Sequence, residues 1–141
     1  MKKLTSEQLA WLIRRHGVEM THLSGGSHIG AIMSVADIIA MLYSNVLNYK
    51  SDNPKWNGRD RFILSKGHAG ASIYAALAES GFFPVEELKT HYANGSRLSG
   101  HVSHHLPGVD LMIRLGVVDL VHVITKKARG MSFLSGSSFV I

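Results

Sequence analysis

Asn57-Gly58-Arg59-Asp60-Arg61-Phe62-Ile63-Leu64-Ser65-Lys66-Gly67-His68-Ala69-Gly70 packs a strand, a glycine turn and a helix start into one short stretch. Arg61 to Ser65 is a run of β-formers (Phe62, Ile63, Leu64) with charge before it and Ser-Lys-Gly after it, which predicts a buried strand ending at a turn. Gly67 supplies the turn. His68 then opens the alanine-rich segment from Ala69 to Ala78, in which Ile73, Ala76 and Leu77 recur at helical spacing. Strand, turn and helix make half of a βαβ unit, so the expected fold class is α/β, a parallel sheet flanked by helices. In such sheets ligands sit beyond the carboxyl ends of the strands, and the free amides of a helix start attract phosphate oxygens. His68 lies where such a ligand would sit, although a histidine that only caps a turn reads the same way.

Upstream, Thr5-Ser6-Glu7-Gln8 has the form of a capping box, and Leu9, Leu12, Ile13 and His16 follow on one helical face, so a first helix runs from there to about Met20 or Leu23. Arg14 and Arg15 read as its solvated edge rather than as a phosphate clamp. Ser24 to Gly30 holds three glycines and is expected to be a loop. Ser34-Val35-Ala36-Asp37 offers a second capping signal, and Val35, Ile38, Ile39, Leu42 and Val46 mark a second helix. Asn48 to Gly58 is a turn-rich connection in which Trp56 acts as a packing lid. Downstream of the third helix, Gly81 is the expected C-cap and Pro84 the expected first-turn proline of a short fourth helix ending near His91.

A chain of 141 residues with 45% hydrophobic content suffices for about one domain with a packed core. Its uninterrupted apolar runs fall short of a membrane span and its start turns polar early, so neither a membrane segment nor a signal peptide is expected, and the expected location is the cytoplasm. The absence of cysteine removes disulfides and thiolate metal sites. A formal charge of +5 raises a nucleic-acid reading, but residues 1–110 hold eleven basic and nine acidic side chains, whereas residues 111–141 hold Arg114, Lys126, Lys127 and Arg129 against Asp119. The excess lies mostly in the tail rather than across the organised part, so no nucleic-acid partner is expected.

Ala93 to Asp110 is a second irregular region, rich in histidine. Zinc at His101, His104 and His105 is conceivable, but no nearby cysteine or glutamate completes a familiar ligand set, and no metal site is assigned. Val117 to Ile124 is strand-like, and neither a phosphate-loop nor a GxGxxG pattern occurs.

Three glycine-associated histidines, Gly26-Ser27-His28, Gly67-His68 and Gly100-His101, fall on three separate loops. In this order, and with the D-R-F-I-L-S-K-G-H-A run, the S-G-G-S-H-I-G-A loop and the G-H…L-P-G-V segment, residues 4–110 resemble the amino-terminal, diphosphate-binding domain of transketolase, most strongly the form split into two subunits. The resemblance implies a partial thiamine diphosphate-binding fold and transfer of a two-carbon ketol unit between sugar phosphates, the chemistry of the pentose phosphate pathway. It also implies a partner, either a carboxy-terminal transketolase subunit or a second copy in a homodimer. His68 and Gly67 match the family's positions near the cofactor diphosphate; His28 and His101 match histidines that line the reacting carbons, bind substrate and transfer protons. The family pairs the diphosphate with Mg2+. Its T-G-x-L-G-x-G and metal-binding G-D-G…N patterns find no counterpart after Pro107-Gly108-Val109. The expected organisation is therefore residues 1–110 as a truncated diphosphate-binding domain and residues 111–141 as a divergent tail from a shifted reading frame, with doubtful activity of its own. The alternative is a noncatalytic module that pairs with a transketolase subunit.

Overall fold

Helix α1 (Ser6–Ser24) begins at the expected capping box: the Thr5 hydroxyl accepts the Gln8 N–H at 3.2 Å, and the Gln8 side-chain oxygen accepts the Thr5 N–H at 3.1 Å. Two donors that a helix start leaves open are thereby satisfied. The computed structural model describes residues 4–64, 66–102, 105–109, 121–124 and 139–140. α1 ends at Gly25, whose φ of 66° lies in the left-handed region that glycine enters without a Cβ penalty.

Helix α2 (Ile29–Met41) starts five residues before the expected capping signal at Ser34, so the glycine loop is confined to residues 25–28. Ser34 does not cap: its hydroxyl donates to the Ala31 carbonyl at 2.9 Å inside the helix. The early start follows from packing. Ile32 is fully buried against Gly17 of α1, where an added Cβ would stand 2.7 Å from Ile32 Cγ2. Burying such a side chain contributes roughly 1.5–3 kcal/mol, which outweighs the helical penalty of about 1 kcal/mol at Gly30. α2 continues as a π-helical turn (Leu42–Val46), closed by the Leu47 N–H donating to the Leu42 carbonyl at 2.8 Å.

Counting uninterrupted apolar runs underestimates this segment. Ile29–Val46, 18 residues with a mean hydropathy of 1.6, is by length and composition apolar enough to cross a membrane. Here it is a packed helix: Ile32, Val35, Ala36, Ile39 and Ala40 enter the core, and Asp37 pairs with Arg14 of α1. Arg14 thus ties two helices together, while Arg15 pairs with Glu19 along its own helix.

Strand β1 (Arg61–Leu64) turns Phe62 and Leu64 inward and is followed by a 3-10 turn (Gly67–Ala69) and helix α3 (Gly70–Glu79). Ser65, expected in the strand, lies outside the described residues. α3 is buried on all sides from Gly70 to Ala78, which its small side chains permit, and it packs against both α1 and α2. Gly81, with φ 83°, closes it: the Gly81 N–H donates to the Ala78 carbonyl and the Phe82 N–H to the Leu77 carbonyl. The expected fourth helix is a 3-10 helix (Val85–Thr90), and Pro84 stands at its N-cap in extended backbone, one residue before its expected place in the first turn.

The described sheet is antiparallel rather than parallel. Strand β2 (Val121–Ile124) pairs with β1 in the register Phe62↔Val123, and β3 (Phe139–Val140) pairs with β2, giving the order β1-β2-β3. β1 must satisfy its backbone groups with whatever strand the chain supplies, and the strand available comes from the tail. An antiparallel pair needs no crossover that returns the chain to the same end and is slightly stronger per residue.

The Gly17–Ile32 contact yields a test. Ile32→Ala should lower unfolding free energy by about 2–5 kcal/mol in a denaturant titration. Gly17→Ala should be less harmful in that background than alone, because the methyl group it would strike is gone; equal costs in both backgrounds would show that the helices do not meet there.

Candidate active site

His28, His68 and His101, separated in sequence by 40 and 33 residues, are brought together by the fold. The His28 and His68 rings meet edge to face with centroids 4.3 Å apart, and the His68 and His101 rings lie tilted at 5.6 Å. Each stands on a different segment. His28 is the N-cap residue of α2, His68 is the middle of the 3-10 turn before α3, and His101 belongs to the loop after the 3-10 helix. His28 and His68 are exposed and His101 is half-buried.

Glycines govern how closely these segments approach. A Cβ on Gly67 would stand 2.9 Å from His101 Cδ2, so the His101 ring occupies the space that a side chain at Gly67 would need. A Cβ on Gly70 would lie 3.1 Å from the Val102 backbone nitrogen, and one on Gly100 would run into the Tyr92 hydroxyl. Residues 99–102 therefore press onto the start of α3. Tyr74 of α3 holds them there: its hydroxyl lies 2.7 Å from the Ser99 carbonyl and 3.0 Å from the His101 carbonyl. Burial pushes the Tyr74 phenol up to about 12, so it remains a protonated donor throughout the range in which imidazoles change charge. Motif reading singled out Gly67 and, as the neighbour of His101, Gly100, but gave no role to Gly70 or Tyr74. The available signal was one tyrosine among the small and aliphatic side chains of Gly70 to Ala78.

The other described histidines divide between packing and surface. His16 is buried at the contact of α1 and α3, with Nε2 2.7 Å from Glu79, and His22 and His105 are exposed. The conceivable zinc set includes His104, which lies outside the described residues, as does the His122 side chain. His91 is buried between Tyr74 and Tyr92. Burial pushes its imidazole below the ordinary value of 6.5, a shift the nearby Met20 backbone only opposes.

Three imidazoles in one open cluster suit chemistry in which hydroxyl protons move near neutral pH. The surroundings also fit the diphosphate end of thiamine diphosphate. Among the described residues, neither α2 nor the 3-10 turn at Gly67 has a side-chain cap on its first amides, and nothing lies within 4 Å of where Cβ atoms would stand on Gly25, Gly26 or Gly30. For a divalent metal the fit is different: among the described residues no group of three His, Cys, Asp or Glu side chains is placed to hold one.

Helices packed on a short sheet, with the site gathered over two helix starts, define a cofactor-binding domain. The family model described as transketolase, thiamine diphosphate binding domain, matches residues 5–116. A transketolase-family protein of Sinorhizobium fredii is 41% identical over 101 residues, which cover 70% of this chain and 36% of that protein. The 6-deoxy-6-sulfo-D-fructose transketolase subunit of a Clostridium species is 35% identical over 111 residues, covering 78% of this chain and 40% of that one. Among solved structures, transketolase from Leishmania mexicana superposes with a TM-score of 0.69 at 33% identity, over 75% of this chain and 16% of its own. The chain belongs to the transketolase family, through its thiamine diphosphate binding domain. It spans two fifths or less of the length of each of these relatives.

Two substitutions test the geometry. Gly67→Ala should cost about 1–3 kcal/mol of stability and move the His101 ring away from His68 in a crystal structure of the variant; an unmoved ring would show that the glycine is not what seats it. His91 should destabilise the fold in acid. Its folded-state affinity for protons is depressed, so as pH falls below 6.5 the unfolded chain takes up a proton that the buried ring resists. His91→Phe should therefore flatten the loss of melting temperature between about pH 7 and about pH 5 relative to the wild type.

Proposed function

We propose that this chain is the diphosphate-binding part of a thiamine diphosphate-dependent transferase that moves a two-carbon ketol unit between sugar phosphates in the cytoplasm. In this reading a second subunit or second copy completes the site, and residues 1–110 carry the chain's contribution. The observation that supports it is the convergence of His28, His68 and His101 over two uncapped helix starts, in a chain of this family. When bound, thiamine diphosphate supplies the carbon nucleophile for a ketose carbonyl. His68, on the turn before α3, donates a hydrogen bond to the diphosphate, and Gly67 keeps the backbone there free of a side chain. His28 and His101, each in ring contact with His68, would hold the sugar hydroxyls, taking and returning their protons through ring nitrogens. In this reading the chain itself does not supply the ligands for Mg2+, since the family's G-D-G…N pattern is absent from its sequence.

Two relatives are named as transketolase subunits, one for 6-deoxy-6-sulfo-D-fructose in a Clostridium species and one for apulose-4-phosphate in Phocaeicola vulgatus, and they favour pairing with a separate partner chain. They also act on different sugars by name, so the sugar phosphate is not assigned. The same pairing would serve a noncatalytic module; co-purification with such a partner without turnover would select that role.

Titration with excess thiamine diphosphate, followed through the histidine ring signals in NMR spectra, tests the cofactor reading. His28, His68 and His101 should shift, and the exposed His22 and His105 should not. His68→Ala should weaken binding by about tenfold or more, the range of a hydrogen bond to a charged group. If all five histidines stay still, the cofactor reading is wrong.

A further inference from the structure

We propose that Tyr74 is a positioning residue: through the backbone carbonyls on either side of Gly100, it sets the His101 ring against His68 from behind the site. The inference rests on the reading of the three histidines as one cofactor site.

Tyr74 is fully buried, and its hydroxyl sits between the carbonyl oxygens of Ser99 and His101, at 2.7 and 3.0 Å. These two carbonyls belong to the Ser99–Gly100 and His101–Val102 peptide units, and holding both restrains the short stretch of backbone that carries the His101 Cα, and with it the direction in which the His101 side chain leaves the backbone. That direction lays the ring over Gly67, where a Cβ would be 2.9 Å from His101 Cδ2. The element that carries Tyr74 is continuous with the one that carries His68: the 3-10 turn Gly67–Ala69 runs directly into α3. One rigid element thus holds His68 by covalent continuity and His101 by a hydroxyl.

The hydroxyl has little freedom to swing away. Behind Tyr74, the His91 ring packs edge to face at 5.8 Å, and Tyr92 packs against His91 at 4.6 Å. Tyr92 is held in the left-handed region at φ 63° while its N–H donates to the Leu98 carbonyl, and its hydroxyl closes the other side of Gly100. A phenylalanine at position 74 would fill the core equally well, so the hydroxyl's specific contribution is the pair of carbonyl contacts. Ser99 adds one more bond of its own to the His101 carbonyl, at 2.8 Å, but from an exposed side chain.

The test is Tyr74→Phe in the full chain without cofactor, with ring-to-ring nuclear Overhauser cross-peaks as the readout. The wild type should show both the His28–His68 and the His68–His101 cross-peaks. In Y74F the His68–His101 cross-peak should be lost while the His28–His68 cross-peak, which does not involve the loop held by Tyr74, remains. Retention of both would overturn the inference. Loss of both, or failure of Y74F to fold, would make Tyr74 a support of the whole domain and would overturn it too. No thiamine diphosphate is present in this measurement. A wild-type chain that binds none would defeat the cofactor reading and still leave Tyr74 to be decided by the cross-peaks.

Discussion

The close approach of residues 99–102 to the start of α3 is the constraint on which the site depends. Gly70 lets the Val102 backbone approach to where a Cβ would stand, the His101 ring fills the space a side chain at Gly67 would need, and the Tyr74 hydroxyl lies within hydrogen-bond reach of the Ser99 and His101 carbonyls. The His101 side of the site takes its shape from that contact. It places the His101 ring over Gly67, and the 3-10 turn then presents His68 between His101 and His28.

The contact is held in place by the helices beneath it. α3 is buried on all sides because its residues are small enough for α1 and α2 to close over it, and the Gly17–Ile32 crossing lets α1 and α2 close on each other. Ion pairs add less. Arg14–Asp37 and Arg97–Glu87 draw both carboxylates below their ordinary range through hydrogen bonds from the guanidinium groups, but these pairs lie near solvent, where such bridges contribute about 0–1 kcal/mol. Burial and close packing dominate. The same packing explains why an 18-residue apolar stretch is a core helix here: its apolar stripe already has protein on it.

Much of the site was legible in local sequence, because its chemistry resides in residue types attached to glycine turns. His28, His68 and His101 could each be named from a Gly-His or Gly-Ser-His neighbourhood, and the strand, turn and helix around His68 could be placed from β-formers followed by alanines. The start of α2 could not. Ser34 has the form of a cap, yet the helix begins at Ile29, since the decisive partner of Ile32 is a glycine on another helix. Sheet direction was equally out of reach: a strand's sequence shows which faces are apolar but not which partner will meet its edge.

By itself the sequence determined which segments form α1, β1 and α3, and singled out three histidines beside glycine turns, because capping, β-propensity and glycine turns act over a few residues. The tertiary structure alone decided that the three rings converge within 4.3 and 5.6 Å, that Gly67 serves as a seat for His101, and that a tyrosine of α3 reaches the carbonyls of the distant loop. Those are contacts between residues 25 to 40 positions apart, and only the packing of one helix start against a distant loop brings them into reach.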